Sequence, residues 1–388
     1  MTIKHLFPVA KPTLDLNFAA ERSLDPLITF SRSSTGTYVD AKGILQTAAE
    51  NEPRFDHDPE TGESLGLLIE ESRVNYVQNS IDFNAGDWSF TQIGTAPAAP
   101  TCTPNSGTAP DGTNTATRLE CALGGGTTGG DGCYLRCNRD SSTKAVASLW
   151  MKSNTGADQT VYSTIVELDV TVTKVVTNEW RRFAGTSSDW RVGARGDKSD
   201  QNIDILIWGA QVEDGDQATG FNTSYIPTSG SASTRAPDVC TIEGTDFSSW
   251  YNPSESTFVA TYTCAYGNAQ AAVFGAGDGT GNNAISLRPR NTFAKSSGVN
   301  QFNVSLYAGA TPPNVQDTIG FSFDSFGAYL VNTNASDSDI TSVTMPVGIN
   351  KLVIGKVEDA FIYLNGYIAR LAYYPRRLSD EQLQAFTS

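Results

Sequence analysis

The sequence of 388 residues contains only two histidines, His5 and His57, and this scarcity restricts the chemistry it can support. Ser-His-Asp and Cys-His nucleophiles both need a histidine base, so most routes to such a catalytic site are closed. His57 lies between two aspartates in a turn-rich acidic stretch, where a structural or surface role is the simpler interpretation. The sequence also has no phosphate-binding glycine loop and no dinucleotide fingerprint. These absences favour binding or structural roles over catalysis.

Long apolar runs and basic clusters are missing as well. No stretch reaches the roughly 18 apolar residues of a membrane helix, and the first residues, interrupted by Pro8 and Pro12, have no signal-peptide core. The net charge is −15, and a nucleic-acid partner would require a basic patch. We therefore expect a chain that is made in a cytoplasm, inserts into no membrane and binds no nucleic acid.

The six cysteines do not have the spacing of a metal site. Cys133 and Cys137 stand alone, without the second pair or histidine cluster that zinc requires. We predict reduced, buried thiols, with a disulfide framework as the alternative. The loop from Gly277 to Asn283 could offer oxygen atoms to calcium, but Asp278 is its only carboxylate. No metal and no cofactor is expected.

The composition predicts an all-β protein. It has 35 glycines and 17 prolines, and short segments of alternating polarity lie between turn-rich joints. Since single cores stop growing at roughly 250–300 residues, the chain should divide into domains. We predict three regions, 1–75, 76–238 and 239–388, in which the last two are tandem β-sandwiches. A capping box at Ser379 and Gln382 predicts one short helix, Ser379–Phe386.

Residues 1–75 have too few strands to bury a core independently. They either pack on the next domain or a neighbouring protein, or complete a sheet of their own chain. Their most individual stretch, Asn51–Asn75, combines a turn at Asp58–Gly62 with a buried strand at Leu65–Ile69. Its pattern, Pro53–Asp58 followed by Gly66–Glu71, resembles fibre or spike subunits of tailed-bacteriophage virions.

Two further resemblances lie downstream. Trp208–Glu213 followed by the linker segment Ser224–Thr228 resembles the carbohydrate-binding jelly rolls of phage fibres. The end of the chain resembles concanavalin A-like (laminin-G-like) lectin domains, since Asn365-Gly366 predicts a hairpin turn and Tyr374–Ser379 leads into the capped helix. The resemblances imply a homotrimeric virion protein that is attached to other virion proteins through residues 1–75 and contacts host surface polysaccharide.

Sugar binding commonly uses aromatic rings beside polar or cationic groups. The sequence offers three such places, which are Trp88, Tyr134 with Arg136 on one strand face, and Trp190 with Arg191 in a loop. We predict these residues as the glycan contacts. The remaining tryptophans of the middle region, Trp150, Trp180 and Trp208, are predicted to be core residues.

An enzymatic alternative rests on Glu167 and Asp169, which an extended strand would place on one face. Concanavalin A-like glycosidases resemble Glu-x-Asp-x-x-Glu, but here Thr171 and Val172 stand where the third carboxylate is needed. We therefore predict no catalytic residues and a non-enzymatic protein. A glycan depolymerase, and a capsid-decorating or baseplate subunit without glycan binding, remain the two alternatives.

Overall fold

The computed structural model describes residues 11–96, 98–138, 145–165, 172–186, 190–214, 222–264, 271–306, 314–339, 342–358 and 360–387. These residues form two compact units. The first unit is built from the described parts of Met1–Gly43, Ala48–Glu71 and Ala236–Ser388, and the second from Ile44–Thr47 and Ser72–Arg235. The predicted first and third regions therefore belong to one unit.

The elements follow in chain order. The first part of the chain forms β1 (Leu14–Leu16), α1 (Phe18–Glu21), β2 (Thr29–Ser31), β3 (Gly36–Val39), β4 (Leu45–Ala48), β5 (Phe55–His57), β6 (Ser64–Ile69) and β7 (Arg73–Asn75). The middle part forms β8 (Trp88–Ile93), β9 (Thr101–Gly107), β10 (Ala116–Ala122), β11 (Gly132–Cys137), β12 (Ala145–Ser153), β13 (Gln159–Ser163), β14 (Thr173–Val176), β15 (Arg181–Thr186), β16 (Arg191–Arg195), β17 (Asn202–Asp214) and β18 (Ser233–Arg235). The last part forms β19 (Val239–Glu243), α2 (Gly244–Ser248), β20 (Ser256–Cys264), β21 (Phe274–Gly277), β22 (Ala284–Leu287), β23 (Asn291–Ser296), β24 (Val299–Ser305), β25 (Gln316–Asp324), β26 (Gly327–Asn332), β27 (Ser336–Asp339), β28 (Lys351–Ile354), β29 (Gly366–Tyr374) and α3 (Asp380–Thr387).

The all-β class and the tandem sandwiches predicted from the sequence are confirmed. In the first unit an eight-stranded sheet, in which β20 and β29 are central, packs on a seven-stranded sheet that runs from β2 to β24. Phe258 of the first sheet meets Phe274 of the second at 4.4 Å between ring centroids, within one continuous apolar core. None of the three described helices has the length and apolar character that a membrane crossing requires.

The amino-terminal strands complete sheets of their own chain, which is one of the possibilities left open by the sequence. β1 and β6 both pair with β29, and β2 pairs with β19. Leu14, Leu16 and Phe18 are buried in the core of the first unit. Attachment of this segment to another protein stays a prediction.

The hairpin predicted at Asn365-Gly366 is wrong. Asn365 does have a positive φ of 48°, but Gly366 already belongs to β29, where it lies opposite both Ile69 and Cys264. A Cβ atom on Gly366 would lie 2.1 Å from the carbonyl oxygen of Thr263. The glycine therefore permits close strand pairing and does not close a type I′ turn.

The predicted carboxy-terminal helix is confirmed as α3. Ser379 N–H donates to Gln382 Oε1 at 3.1 Å, and Gln382 N–H donates back to Ser379 Oγ at 3.3 Å. This reciprocal pair is a capping box. Leu378 and Leu383 are both buried in the small cluster under the helix, so the hydrophobic staple forms as well.

The second unit is a sandwich of two five-stranded sheets. One has the order β15-β12-β17-β10-β9 and the other β14-β13-β16-β11-β8. Alternate residues of each strand enter the core between the sheets, as Ile203, Ile205 and Ile207 of β17 do. The opposite residues of each strand form the two outer faces.

The motif around Trp208–Glu213 has a structural explanation within this unit. Asn75 Nδ2 donates to the carbonyl oxygens of Ala210 at 3.0 Å and Ile226 at 2.8 Å, and Gln211 Oε1 accepts from Ile226 N–H at 2.7 Å. Tyr225 then packs on Trp208 at 4.8 Å between ring centroids. These side chains clasp the segment that follows β17 onto the sandwich, so the motif marks a fold feature.

A buried charge cluster lies in the first unit, at the Asn51–Asn75 stretch. Asp238 accepts from Arg32 Nη1 at 3.1 Å and from Arg54 Nη2 at 2.5 Å. Arg54 Nη1 also reaches Glu70 Oε2 at 2.8 Å, and the Glu70 N–H donates to Asp238 at 2.9 Å. The three ions Arg32, Arg54 and Asp238 have fully buried side chains. Arg54 and Glu70 of this stretch therefore act inside the protein.

Asp56 lies beside this cluster and is almost fully buried. Its Oδ1 accepts from the backbone N–H groups of Val39 at 2.6 Å and His57 at 3.0 Å, and Tyr367 donates its hydroxyl to Oδ2 at 3.3 Å. Burial raises the pKa of Asp56 to about 6, against the lowering effect of the two backbone hydrogen bonds. Folding thus favours the protonated form of this carboxyl more than the unfolded chain does.

We expect Asp56 to make the first unit less stable as the pH rises from 4 to 6. The pKa of Asp56 in the folded chain lies above the ordinary value of 3.8. The stabilising contribution of the protonated carboxyl is therefore complete below pH 3.8 and is lost by about pH 6. The loss amounts to roughly 3 kcal/mol of unfolding free energy. Urea unfolding of the wild type and of Asp56→Asn at pH 4, 5, 6 and 7 measures it. The difference between the two proteins should change over this range, and a constant difference would contradict the assignment.

Candidate functional site

The outer face of the sheet β14-β13-β16-β11-β8 in the second unit carries the candidate site. In β11, Cys133 and Leu135 enter the core, so Tyr134 and Arg136 point to the outer face. In β16, Val192 and Ala194 enter the core. Arg191 and Arg195 therefore lie on the same outer face as Tyr134.

Gly193 lies between two tyrosines in the strand register. It pairs with Tyr134 of β11 on one side and with Tyr162 of β13 on the other. A Cβ atom on Gly193 would lie 2.5 Å from the carbonyl oxygen of Cys133, so only glycine fits at this close approach. The two tyrosine rings come together across the glycine, with centroids 6.0 Å apart.

Two arginines of β16 lie over these rings. The guanidinium carbon of Arg191 is 5.2 Å from the centroid of Tyr134, and that of Arg195 is 5.5 Å from the centroid of Tyr162. Arg191 Nη1 also donates to the Tyr134 hydroxyl at 3.4 Å. The tyrosines are only 6% and 3% exposed. The guanidinium groups thus form the outer layer of this face, and the rings form the layer beneath it.

The face concentrates positive charge on an acidic chain. Arg136 lies directly opposite Arg191 in the β11–β16 register, where like charges repel. Arg195 Nε donates to Asp197 Oδ1 at 3.1 Å, and both side chains are about one-third exposed, at 32% and 35%. Planar guanidinium groups grouped in this way can bind carboxylate or sulfate oxygens through paired N–H donors. We call Tyr134, Arg136, Tyr162, Arg191 and Arg195 the arginine face.

The structure unites three of the five predicted glycan contacts and separates the other two. Tyr134, Arg136 and Arg191 lie together on the arginine face, with Arg191 as the first residue of β16 and not in a loop. Trp88 and Trp190 are 8% and 4% exposed, and their rings meet at 5.1 Å within the core. These two indoles are therefore core residues, because their large apolar area is buried between the sheets.

Tyr162 and Arg195 were missed at the level of sequence. Each occupies an outward position of a period-two strand, and Arg191-x-Gly193-x-Arg195 shows that periodicity plainly. The sequence does not show that β13 and β11 both pair with β16. That pairing is what brings the two tyrosines together.

The other candidate positions are the carboxylate pair Glu167 and Asp169 and the glycine-rich loop Gly277–Asn283. Glu167 and Asp169 lie outside the described residues. In the loop Gly277–Asn283, the Asp278 carboxylate accepts hydrogen bonds from Thr280 and from Asn283 Nδ2, and thereby holds the loop itself. Within the described ranges, no three His, Cys, Asp or Glu side chains converge as metal ligands.

Comparison with known proteins finds no matching family model and no matching curated protein. Among solved structures, the chain is similar to the CBM40 of the Ruminococcus gnavus IT-sialidase bound to α2,6 sialyllactose, with 16% identity over 37% of this chain and 88% of that one, at a TM-score of 0.32. It is also similar to domain 4 of AbnA, a GH43 arabinanase from Geobacillus stearothermophilus, with 14% identity over 44% and 82% of the two chains, at a TM-score of 0.31. Likenesses at these TM-scores assign neither a family nor a ligand.

Proposed function

We propose that this chain is a non-enzymatic glycan-binding protein, and that the arginine face of the second unit contacts an acidic polysaccharide. The observation that carries the proposal is the layer of guanidinium groups over the Tyr134–Tyr162 pair. The rings support the guanidinium groups from below and restrict their motion. Such restriction lowers the entropy that each arginine loses when a ligand binds.

Acidic sugars suit this face better than neutral ones. The tyrosine rings are covered, so a pyranose cannot stack on them directly, whereas the guanidinium donors lie outermost. A uronate or sialate carboxylate, or a sulfate group, can accept two parallel N–H bonds from one arginine. The chain as a whole has a net charge of −15 and so repels polyanions at long range. Binding should therefore depend on this one face.

The proposal includes display on a phage fibre or spike, with host surface polysaccharide as the ligand. The motifs at Pro53–Asp58, Gly66–Glu71 and Trp208–Glu213 support this setting through their resemblance to virion fibre subunits. A homotrimer attached to other virion proteins would present three arginine faces together. Linking sites that each bind at about millimolar affinity can raise avidity by roughly 10²–10⁴. One shallow site on each subunit would therefore be sufficient for the trimer to bind the polysaccharide.

A glycan-binding assay with matched arginine variants tests the proposal. The full chain is applied to acidic and neutral polysaccharides, together with the double variant Arg191→Met/Arg195→Met, which keeps apolar side chains over the tyrosines. We expect binding to at least one acidic glycan, weakening with added salt, and a loss of roughly tenfold or more in the variant, since a charged hydrogen bond contributes about 1.5–3 kcal/mol.

Arg118→Gln is the control for this assay. Arg118 lies on β10 in the other sheet of the same unit and pairs with Asp204 at 2.8 Å, so its loss should leave glycan binding unchanged. Absence of binding to every glycan would favour a capsid-decorating or baseplate role. Release of reducing ends from the polysaccharide would favour a depolymerase.

A further inference from the structure

Two cysteine thiols meet inside the second unit. Cys121 lies on β10 and Cys133 on β11, which belong to the two opposing sheets. Both side chains point into the core between the sheets and are buried. Burial raises the pKa of the Cys121 thiol and the neighbouring Cys133 thiol raises it further, while Cys121 in turn lowers the pKa of Cys133. Cys121 thus reaches across the sandwich to Cys133.

The surrounding backbone confirms how closely the sheets approach here. A Cβ atom placed on Gly193 of β16 would lie 2.9 Å from Cys121 Sγ and 2.5 Å from the carbonyl oxygen of Cys133. Gly193 pairs with Tyr134, the residue next to Cys133. The absence of a side chain at Gly193 therefore leaves the space in which the Cys121 sulfur sits beside β11.

We infer that Cys121 and Cys133 are a cross-linking site that a small disulfide oxidant converts into a disulfide between the two sheets. The thiolate of one cysteine attacks oxidised glutathione, releases one reduced glutathione and forms a mixed disulfide. The second thiol loses its proton and displaces the other glutathione. Two protein thiols are oxidised, one oxidant disulfide is reduced, and two glutathione thiols leave. This inference does not depend on glycan binding.

The other cysteines are less suited to this reaction. Cys102 on β9 is only partly buried and packs against the same core, so it is the competitor that an experiment must distinguish. Cys264 in the first unit donates its S–H to the Leu364 carbonyl oxygen at 3.5 Å. Because Cys121 and Cys133 are shielded from solvent, the cross-link should form while the chain folds in an oxidising medium.

Refolding of the full chain from denaturant in glutathione redox buffer tests the inference. We expect two of the six thiols to disappear, the intact mass to fall by two hydrogen atoms, and peptide mapping to join Cys121 to Cys133. Closing this short loop should raise the thermal midpoint of the second unit by roughly 5–10 °C. Added reductant should reverse the rise.

Three single variants complete the test. Cys121→Ala and Cys133→Ala should each abolish the cross-link and the thermal shift, whereas Cys102→Ala should keep both. Retention of all six thiols after oxidative refolding of the wild-type chain would overturn the inference. A cross-linked peptide that contains Cys102 would overturn it equally.

Discussion

Replacement of Asp238 by alanine is expected to lower the unfolding free energy of the first unit by about 3–5 kcal/mol, the cost of breaking a buried ion pair from one side. Asp238 accepts from Arg32 at 3.1 Å and from Arg54 at 2.5 Å, and all three side chains are fully buried. The substitution leaves both guanidinium groups without the carboxylate that they share. Burial lowers the pKa of Arg54, but the charges of Asp238 and Glu70 outweigh it and raise the pKa overall. Both arginines stay charged in the variant, because a guanidinium group is not deprotonated in proteins.

An exposed ion pair in the same unit provides the control. Arg370 donates to both oxygens of Asp15 at 2.7 Å, but these side chains are 45% and 39% exposed. Asp15→Ala should therefore cost less than about 1 kcal/mol. Urea denaturation of the two variants beside the wild type compares them directly. Equal losses of stability would mean that burial does not decide the contribution of the Asp238 cluster.

The buried cluster shows where sequence reasoning stops. The turn, strand and acidic pattern of Asn51–Asn75 could be read from neighbouring residues, and β6 is confirmed near its predicted place. The charged residues of this stretch could not be interpreted, because Asp238 is 184 residues from Arg54 and 206 from Arg32. A partner at that separation leaves no local pattern.

Local signals succeed or fail according to what surrounds them. The capping box of α3 is confirmed because both of its hydrogen bonds lie within Ser379–Gln382. The Asn365-Gly366 signal fails because Gly366 pairs with both β6 and β20 as the first residue of β29. Strand alternation placed Tyr134 and Arg136 on one strand face, whereas Arg191 was expected in a loop but begins β16, and Trp88 and Trp190 lie in the core. Residue type alone does not reveal which side of a strand faces the core.

Deletion of residues 1–50 is expected to unfold the first unit. The deletion removes β1 and β2, which pair with β29 and β19, and it removes Arg32 from the charge cluster. It also removes Leu14, Leu16 and Phe18 from the core. Truncating one buried leucine or phenylalanine to alanine costs about 2–5 kcal/mol. For these three side chains the sum is about 6–15 kcal/mol, which is as large as the roughly 5–15 kcal/mol by which a domain is stable.

Limited proteolysis followed by mass spectrometry measures this outcome. In the truncated chain, residues 236–387 should be cleaved rapidly, whereas residues 72–235, whose unit loses only Ile44–Thr47, should resist the protease. Phe18→Ala should give a partial effect, and Phe326→Ala, whose ring is 75% exposed, should give none. A separate attachment segment would leave residues 236–387 protected after the deletion. Protection of residues 236–387 would therefore restore the division into three regions. Cleavage would mean that deletion destroys the unit that carries residues 1–75. Any attachment surface in these residues would then have to be mapped with point variants.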